Sequence, residues 1–118
     1  TNYDATSVDA ACQKAEQDGI RGHVMIDASH ANSGKDPLKQ PLVLRDVGDQ
    51  LRAGEQRITG VMIESHLVAG SQDLGQGELT YGQSITDGCL GWEDTVAELR
   101  RLAEAVRARR ARPAQLAG

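Results

Sequence analysis

The sequence predicts an α/β fold in the order helix, strand, helix, strand, helix. Three observations carry this reading. Apolar residues recur at helical spacing in three separate segments, two short continuous apolar runs lie between them, and Gly or Pro marks the junctions. Strands that alternate with helices lie parallel in their sheet.

In the first helix Asp4 or Ser7 can cap the N-terminus, and Val8, Ala11, Cys12 and Ala15 form the apolar stripe. Gly19 stops it. Val24-Met25-Ile26 follows, a run that suits a parallel strand covered on both faces. A polar loop with Asn32, Ser33, Gly34 and Asp36-Pro37 leads to Pro41, which fits the first turn of a second helix. Leu44, Val47 and Leu51 face inward there, and Gly54 ends it. The second strand is expected from Ile58 to Ile63, followed by a long loop. Glu93 and Asp94 suit the positive N-terminal turn of a third helix, with Val96, Leu99, Leu102, Ala103 and Val106 on one face.

These elements make one unit over residues 1–112, with a frayed tail at 113–118. Two strands alone make a poor sheet, because both outer edges stay open. Neighbouring strands are therefore expected on further chain, and the start at Thr1, without Met, suggests either a truncated or processed piece or the removal of an initiator Met before Thr1.

Composition narrows the functional classes. The chain has 118 residues and 39% hydrophobic content, yet its only aromatics are Tyr3, Tyr81 and Trp92, so Val, Leu, Ile and Ala must build the core. A net charge of −4 argues against a nucleic-acid or anionic-membrane partner. The arginines crowded between Arg100 and Arg112 read as a solvated helix face with favourable charge near its C-terminus. No apolar run is long enough for a membrane span and no signal peptide is apparent, which suggests a soluble cytoplasmic protein. Cys12 and Cys89 form no metal or redox pair by spacing, and Cys12 falls on a buried stripe.

Chemistry-bearing residues gather where the strands end. The first strand runs into Asp27-Ala28-Ser29-His30 and the second into Glu64-Ser65-His66, so adjacent strands each deliver an acid and a histidine at one end. Asp87 sits just before the third helix. The loop from Ser65 to Gly91 is too long to be an ordinary connection. Together with Glu64 it holds Asp73, Glu78 and Asp87, and no Lys or Arg. Such a stretch attracts a divalent cation and repels phosphate. An imidazole with carboxylates suits Mn²⁺, Fe²⁺, Co²⁺ or Zn²⁺ rather than Mg²⁺ or Ca²⁺. His30, Glu64 and Asp87 are the candidate metal ligands. Spacing alone leaves open a hydrogen-bonded acid–histidine cluster that stabilises the strand ends. His66 suits a structural or supporting role, His23 a structural one at the opposite strand end, and Lys35 a solvated loop lysine or a supporting phosphate contact.

Four segments together carry a resemblance: Met25-Ile26-Asp27-Ala28-Ser29-His30-Ala31-Asn32-Ser33, Gly60-Val61-Met62-Ile63-Glu64-Ser65-His66-Leu67, Tyr81-Gly82-Gln83-Ser84-Ile85-Thr86-Asp87 and Gly91-Trp92-Glu93-Asp94-Thr95. In order and spacing they resemble the C-terminal signature of class I 3-deoxy-7-phosphoheptulonate synthases, from about Asn2 to Arg110.

The resemblance implies the C-terminal portion of a (β/α)8 barrel, with this chain supplying strands seven and eight. It implies a homo-oligomeric, metal-dependent transferase that condenses phosphoenolpyruvate with erythrose 4-phosphate in the first step of the shikimate pathway. Of the family's Cys, His, Glu and Asp ligands, the last three fall on His30, Glu64 and Asp87. The Cys belongs to an early strand, and Cys89 does not match its position. His30 and Asp87 are also the catalytic candidates. The family's phosphate-binding Lys-Pro-Arg-Thr and Arg-Gly-Gly motifs do not occur here. The alternative is a non-catalytic barrel fragment or complementing subunit, inactive alone and prone to aggregate.

Overall fold

In the computed structural model, which describes residues 1–75 and 77–113, the main elements follow the expected order. Helix α1 spans Ala5–Gln17. Of the two candidates Asp4 is the cap: the Ser7 N–H donates to Asp4 Oδ2 at 3.4 Å, and Ser7 Oγ donates to Asp4 Oδ1 at 2.5 Å. These bonds favour the ionised form, so Asp4 titrates below the ordinary carboxylate range. Gly19, at φ 75°, follows the helix end. Val8 and Cys12 are buried, whereas Ala11, expected on the same stripe, is exposed.

Strand β1 (Val24–Asp27) pairs in parallel with β2 (Ile58–Met62), aligning Ile26 with Val61 and Asp27 with Met62. Two expectations need correction here. The second strand ends at Met62 rather than Ile63, and beyond it the Glu64 backbone bonds to the Gln40 side chain and to the Leu90 N–H rather than to β1. The first strand is covered on one face only: Ile26 is buried, but Met25 on the other face is 64% exposed. Each strand of this sheet has one unpaired edge among the described residues.

Between these strands the polar segment is more ordered than expected. His30–Ser33 forms a single helical turn, α2, closed by Gly34 at φ 62°. A 3₁₀ turn at Pro37–Lys39 leads directly into α3 (Gln40–Arg52). Pro41 occupies the first turn of α3, and Val43, Leu44, Val47 and Leu51 are buried. A fully buried Leu such as Leu44 contributes about 1.5–3 kcal/mol from the area it removes from water.

The segment from Ser65 to Gly91 is not structureless. Strands β3 (Val68–Ser71) and β4 (Gln83–Ser84) pair in parallel as a second small sheet. Isolated bridges link Ser65 to Leu90 and Gly70 to Cys89. The alternation rule missed this sheet because its strands are short and mostly polar or glycine-bearing.

Helix α4 covers Trp92–Ala111, with Glu93 and Asp94 in its first turn as expected. Its buried face matches the expected one only in part. Thr95, Glu98 and Ala105 are buried, Leu102 and Val106 pack against the core, and Leu99 is 46% exposed. Thr95 sets this rotation: its hydroxyl lies 2.5 Å from Ser65 Oγ and 2.8 Å from the Gly91 carbonyl oxygen. Glu98 is buried because Arg101 donates to it, at 2.5 Å, and Arg45 of α3 lies 3.9 Å away. The core joins α1, β1, β2, α3 and α4 through Val8, Cys12, Ile26, Leu44, Ile58 and Ala105, among others. Of the expected frayed tail only Pro113 is described, and 114–118 lie outside the described residues. No helix among the described residues is long and apolar enough to cross a membrane.

Candidate metal centre

Parallel pairing puts the C-terminal ends of β1 and β2 side by side, and the candidate residues lie just beyond them. His30 follows β1 by three residues and opens α2. Its φ of 48° is in the left-handed region, which a β-carbon disfavours by ~1–3 kcal/mol. Such strain persists where the surroundings hold it. Here Asp27 does so twice: its Oδ1 accepts from the Ser29 N–H at 2.7 Å, and its Oδ2 lies 2.9 Å from His30 Nδ1.

That second contact sets the imidazole tautomer. An ionised carboxylate only accepts, so Nδ1 carries the proton and Nε2 faces the other acids. Nε2 lies 3.1 Å from Glu64 Oε1 and 3.8 Å from Asp87 Oδ2. One donor atom from each of His30, Glu64 and Asp87 lies within 4.8 Å of the others. The hydrogen bond that His30 donates to Asp27, with that carboxylate's charge, raises the His30 pKa above the ordinary histidine value; burial opposes this, and Glu64 and Asp87 add to it.

Glu64 lies just past β2 and is the most enclosed of the three. Ser29 Oγ donates to its Oε1 at 2.7 Å. Its backbone is held by Gln40 at the start of α3: the Glu64 N–H donates to Gln40 Oε1 at 2.9 Å, and Gln40 Nε2 donates to the Glu64 carbonyl at 3.0 Å. Asp87 arrives on the turn between β4 and the Gly70–Cys89 bridge and is largely exposed. Gly88 lets this turn come close to the 3₁₀ segment, since a β-carbon there would lie 3.1 Å from Pro37 Cγ.

The donor set fits a divalent transition-metal ion. It offers one imidazole nitrogen and two carboxylates, whose charges balance the cation, and a carboxylate orients the histidine from behind. The separations of 3.1 and 3.8 Å from His30 Nε2 are close to what ligands ~2.0–2.2 Å from a shared ion require.

The remaining candidates lie elsewhere. The His66 N–H donates to the Leu90 carbonyl, and its Nδ1 accepts from the Leu67 N–H at 2.8 Å. His66 therefore supports the Ser65–Leu90 bridge through its backbone and lies outside the group of three. His23 is exposed at the opposite end of β1, and Lys35 is exposed after α2. Cys89 is buried, its thiol lies 3.6 Å from the Asp87 carbonyl oxygen, and burial pushes its pKa up, so it stays a thiol beside the group. The sequence reading missed the supporting roles of Asp27, Ser29 and Gln40. The one signal for Asp27 was its spacing of three from His30. None existed for Gln40, 24 residues from its partner.

Residues 1–100 match the model of the DAHP synthetase I family. The chain belongs to that family. Over 110 residues it is 53% identical to phospho-2-dehydro-3-deoxyheptonate aldolase of Haemophilus influenzae, covering 92% of this chain and 30% of that protein. It is 54% identical to the Phe-sensitive aldolase of Escherichia coli, again over 110 residues, covering 92% and 31%. Among solved structures, the phospho-2-dehydro-3-deoxyheptonate aldolase of Francisella tularensis superposes with a TM-score of 0.89 at 49% identity, covering 93% of this chain and 32% of that one. This member of the DAHP synthetase I family thus spans about 30% of the length of the curated relatives it matches.

Proposed function

We propose that this chain is the cation-binding corner of a 3-deoxy-7-phosphoheptulonate synthase. The intact protein joins C3 of phosphoenolpyruvate to the aldehyde carbon of erythrose 4-phosphate, and water adds at C2 of the phosphoenolpyruvate moiety before inorganic phosphate leaves, in the cytoplasm. Strands β1 and β2 are strands seven and eight of an eight-stranded barrel, and the intact enzyme is a homo-oligomer. The observation that carries this reading is the His30–Glu64–Asp87 group at the ends of two parallel strands, where barrel enzymes collect their chemistry. The match in family and fold supports it.

A divalent ion (Mn²⁺, Fe²⁺, Co²⁺ or Zn²⁺) held by these residues supplies Lewis-acid polarisation of the aldehyde oxygen. The protein's own contribution is arrangement. Asp27 keeps the proton on His30 Nδ1 and so leaves Nε2 free to coordinate. Ser29 and Gln40 fix the Glu64 carboxylate and backbone. Asp87 is exposed enough to exchange a proton with a substrate oxygen. The two substrate phosphates are bound outside the stretch from Ile58 to Leu99, which contains no Lys or Arg.

In the intact enzyme, His30→Ala and Glu64→Ala each remove bound metal and activity together. Stoichiometric metal with near-normal turnover in both variants sinks the assignment.

A second reading concerns the 118 residues by themselves. The unpaired outer edges of the β1–β2 sheet and the exposed Met25 favour a non-catalytic piece that completes a barrel with other chain. Alone, it lacks synthase activity and tends to aggregate. A cooperative thermal transition in a monomer counts against this reading.

A further inference from the structure

We infer that Gln40 is a positioning residue for the metal centre, acting through the backbone of Glu64. The inference rests on the metal reading above. Gln40 is 0% exposed, and a buried amide must satisfy its donors and acceptor within the protein. Its Oε1 and Nε2 bond to the N–H and C=O of one residue, Glu64. Together these two bonds imitate the pairing that a neighbouring strand provides.

Their location is informative. The β1–β2 ladder stops at Met62, two residues before Glu64. On its other side the Glu64 carbonyl also accepts from the Leu90 N–H at 2.9 Å, on the segment that brings in Asp87. Gln40 stands at the start of α3, joined by the 3₁₀ turn and α2 to His30. Its amide therefore ties the helical segment carrying His30 to the backbone of the second ligand, and that backbone bonds to the segment carrying the third. Ser29 holds the Glu64 carboxylate in the same region, at 2.7 Å. Without the amide, the Glu64 N–H loses its partner and only the Leu90 N–H and Ser29 still hold the residue, so its carboxylate can shift away from His30 Nε2. Outer groups that orient metal ligands commonly change affinity about 10- to 100-fold when removed.

A purely structural Gln40 would anchor α3 to the sheet and affect stability alone, so the test separates affinity from folding. Mn²⁺ is titrated into the metal-free full-length protein, with free Mn²⁺ read by its paramagnetic resonance signal, at a temperature where each variant is folded. Gln40→Met keeps the length and bulk of the side chain and removes both hydrogen bonds. Gln40→Glu keeps the acceptor for the Glu64 N–H and loses the donor to its carbonyl. Mn²⁺ affinity is expected to fall about 10- to 100-fold in Gln40→Met and by less in Gln40→Glu. The visible spectrum of the Co²⁺-loaded protein is expected to shift in both. Should Gln40→Met fail to fold, the Gln40→Glu affinity and spectrum decide. Wild-type affinity and spectrum in a folded variant overturn the inference and leave the metal reading intact. Failure of the wild-type protein to bind Mn²⁺ or Co²⁺ overturns both.

Discussion

Asp27 Oδ2 accepts the Nδ1–H of His30 at 2.9 Å, across one strand end, and leaves Nε2 facing Glu64 and Asp87. The same carboxylate accepts the Ser29 N–H, so it fixes both the local backbone and the ring. A single acid thus decides which imidazole nitrogen is free to coordinate.

Replacing that carboxylate by an amide tests its role. Asn at position 27 can accept from Nδ1–H but carries no charge, and its amide group can also turn to donate. Asp27→Asn is expected to weaken divalent-metal binding about 10- to 100-fold. Competition against a chelator of known affinity measures this. An unchanged constant removes Asp27 from the centre.

Protonation of His30 opposes metal binding. Its folded-state pKa lies above the ordinary value of 6.5, chiefly because of Asp27. The favourable contacts of the imidazolium therefore stabilise the metal-free protein fully below about pH 6.5 and are lost as pH rises through the higher folded value. Metal occupancy has the opposite dependence and rises with pH over the same window, because coordination needs a neutral ring. Nuclear magnetic resonance titration of His30 in the metal-free protein is expected to show a midpoint above 6.5, lowered in Asp27→Asn. A wild-type midpoint at or below 6.5 contradicts the geometry.

Gly82 governs the small sheet that presents Asp87. It adopts φ 80°, and a β-carbon there would lie 2.9 Å from Leu67 Cβ. Gly82→Ala must move either the Val68–Gly82 backbone contact or Leu67. The expected result is a loss of ~1–3 kcal/mol in local stability, seen as faster amide exchange in β3 and β4, with weaker metal binding through Asp87. If exchange there is unchanged, Gly82 does not control this sheet.

Leu44 anchors α3 within the core at 1% exposure. Leu44→Ala leaves a cavity and is expected to destabilise the folded protein by ~2–5 kcal/mol. Denaturant unfolding measures the change. A loss below about 1 kcal/mol would mean that this core is far looser than the contacts among Leu44, Val47 and Leu51 imply.

Local residue types made much of this molecule legible. The Asp4–Ser7 cap, the Gly19 and Gly54 stops, Pro41 in a first helical turn and the acids at the start of α4 act over a few residues, so the sequence reading found them. Errors arose where distant groups decide. Leu102 and Val106 of the expected α4 stripe pack against the core, but Leu99 is exposed, because Thr95 is bonded to Ser65 and Glu98 is paired with Arg101 and Arg45, which turns Thr95 and Glu98 inward. The β3–β4 sheet lacks an apolar alternation, so its residues carry no local strand signal.

By itself, the sequence determined only that His30, Glu64 and Asp87 are candidates to share a cation, because strand ends and an acidic loop free of Lys and Arg carry them. Tertiary structure alone decided how they are held. The Asp27 bond that selects a tautomer, the Ser29 bond to Glu64 and the Gln40 clamp depend on the positions of whole elements. Residue type states what a group can bond; only the packing of α3 beside β1 and β2 brings Gln40 and Glu64 within 3.0 Å.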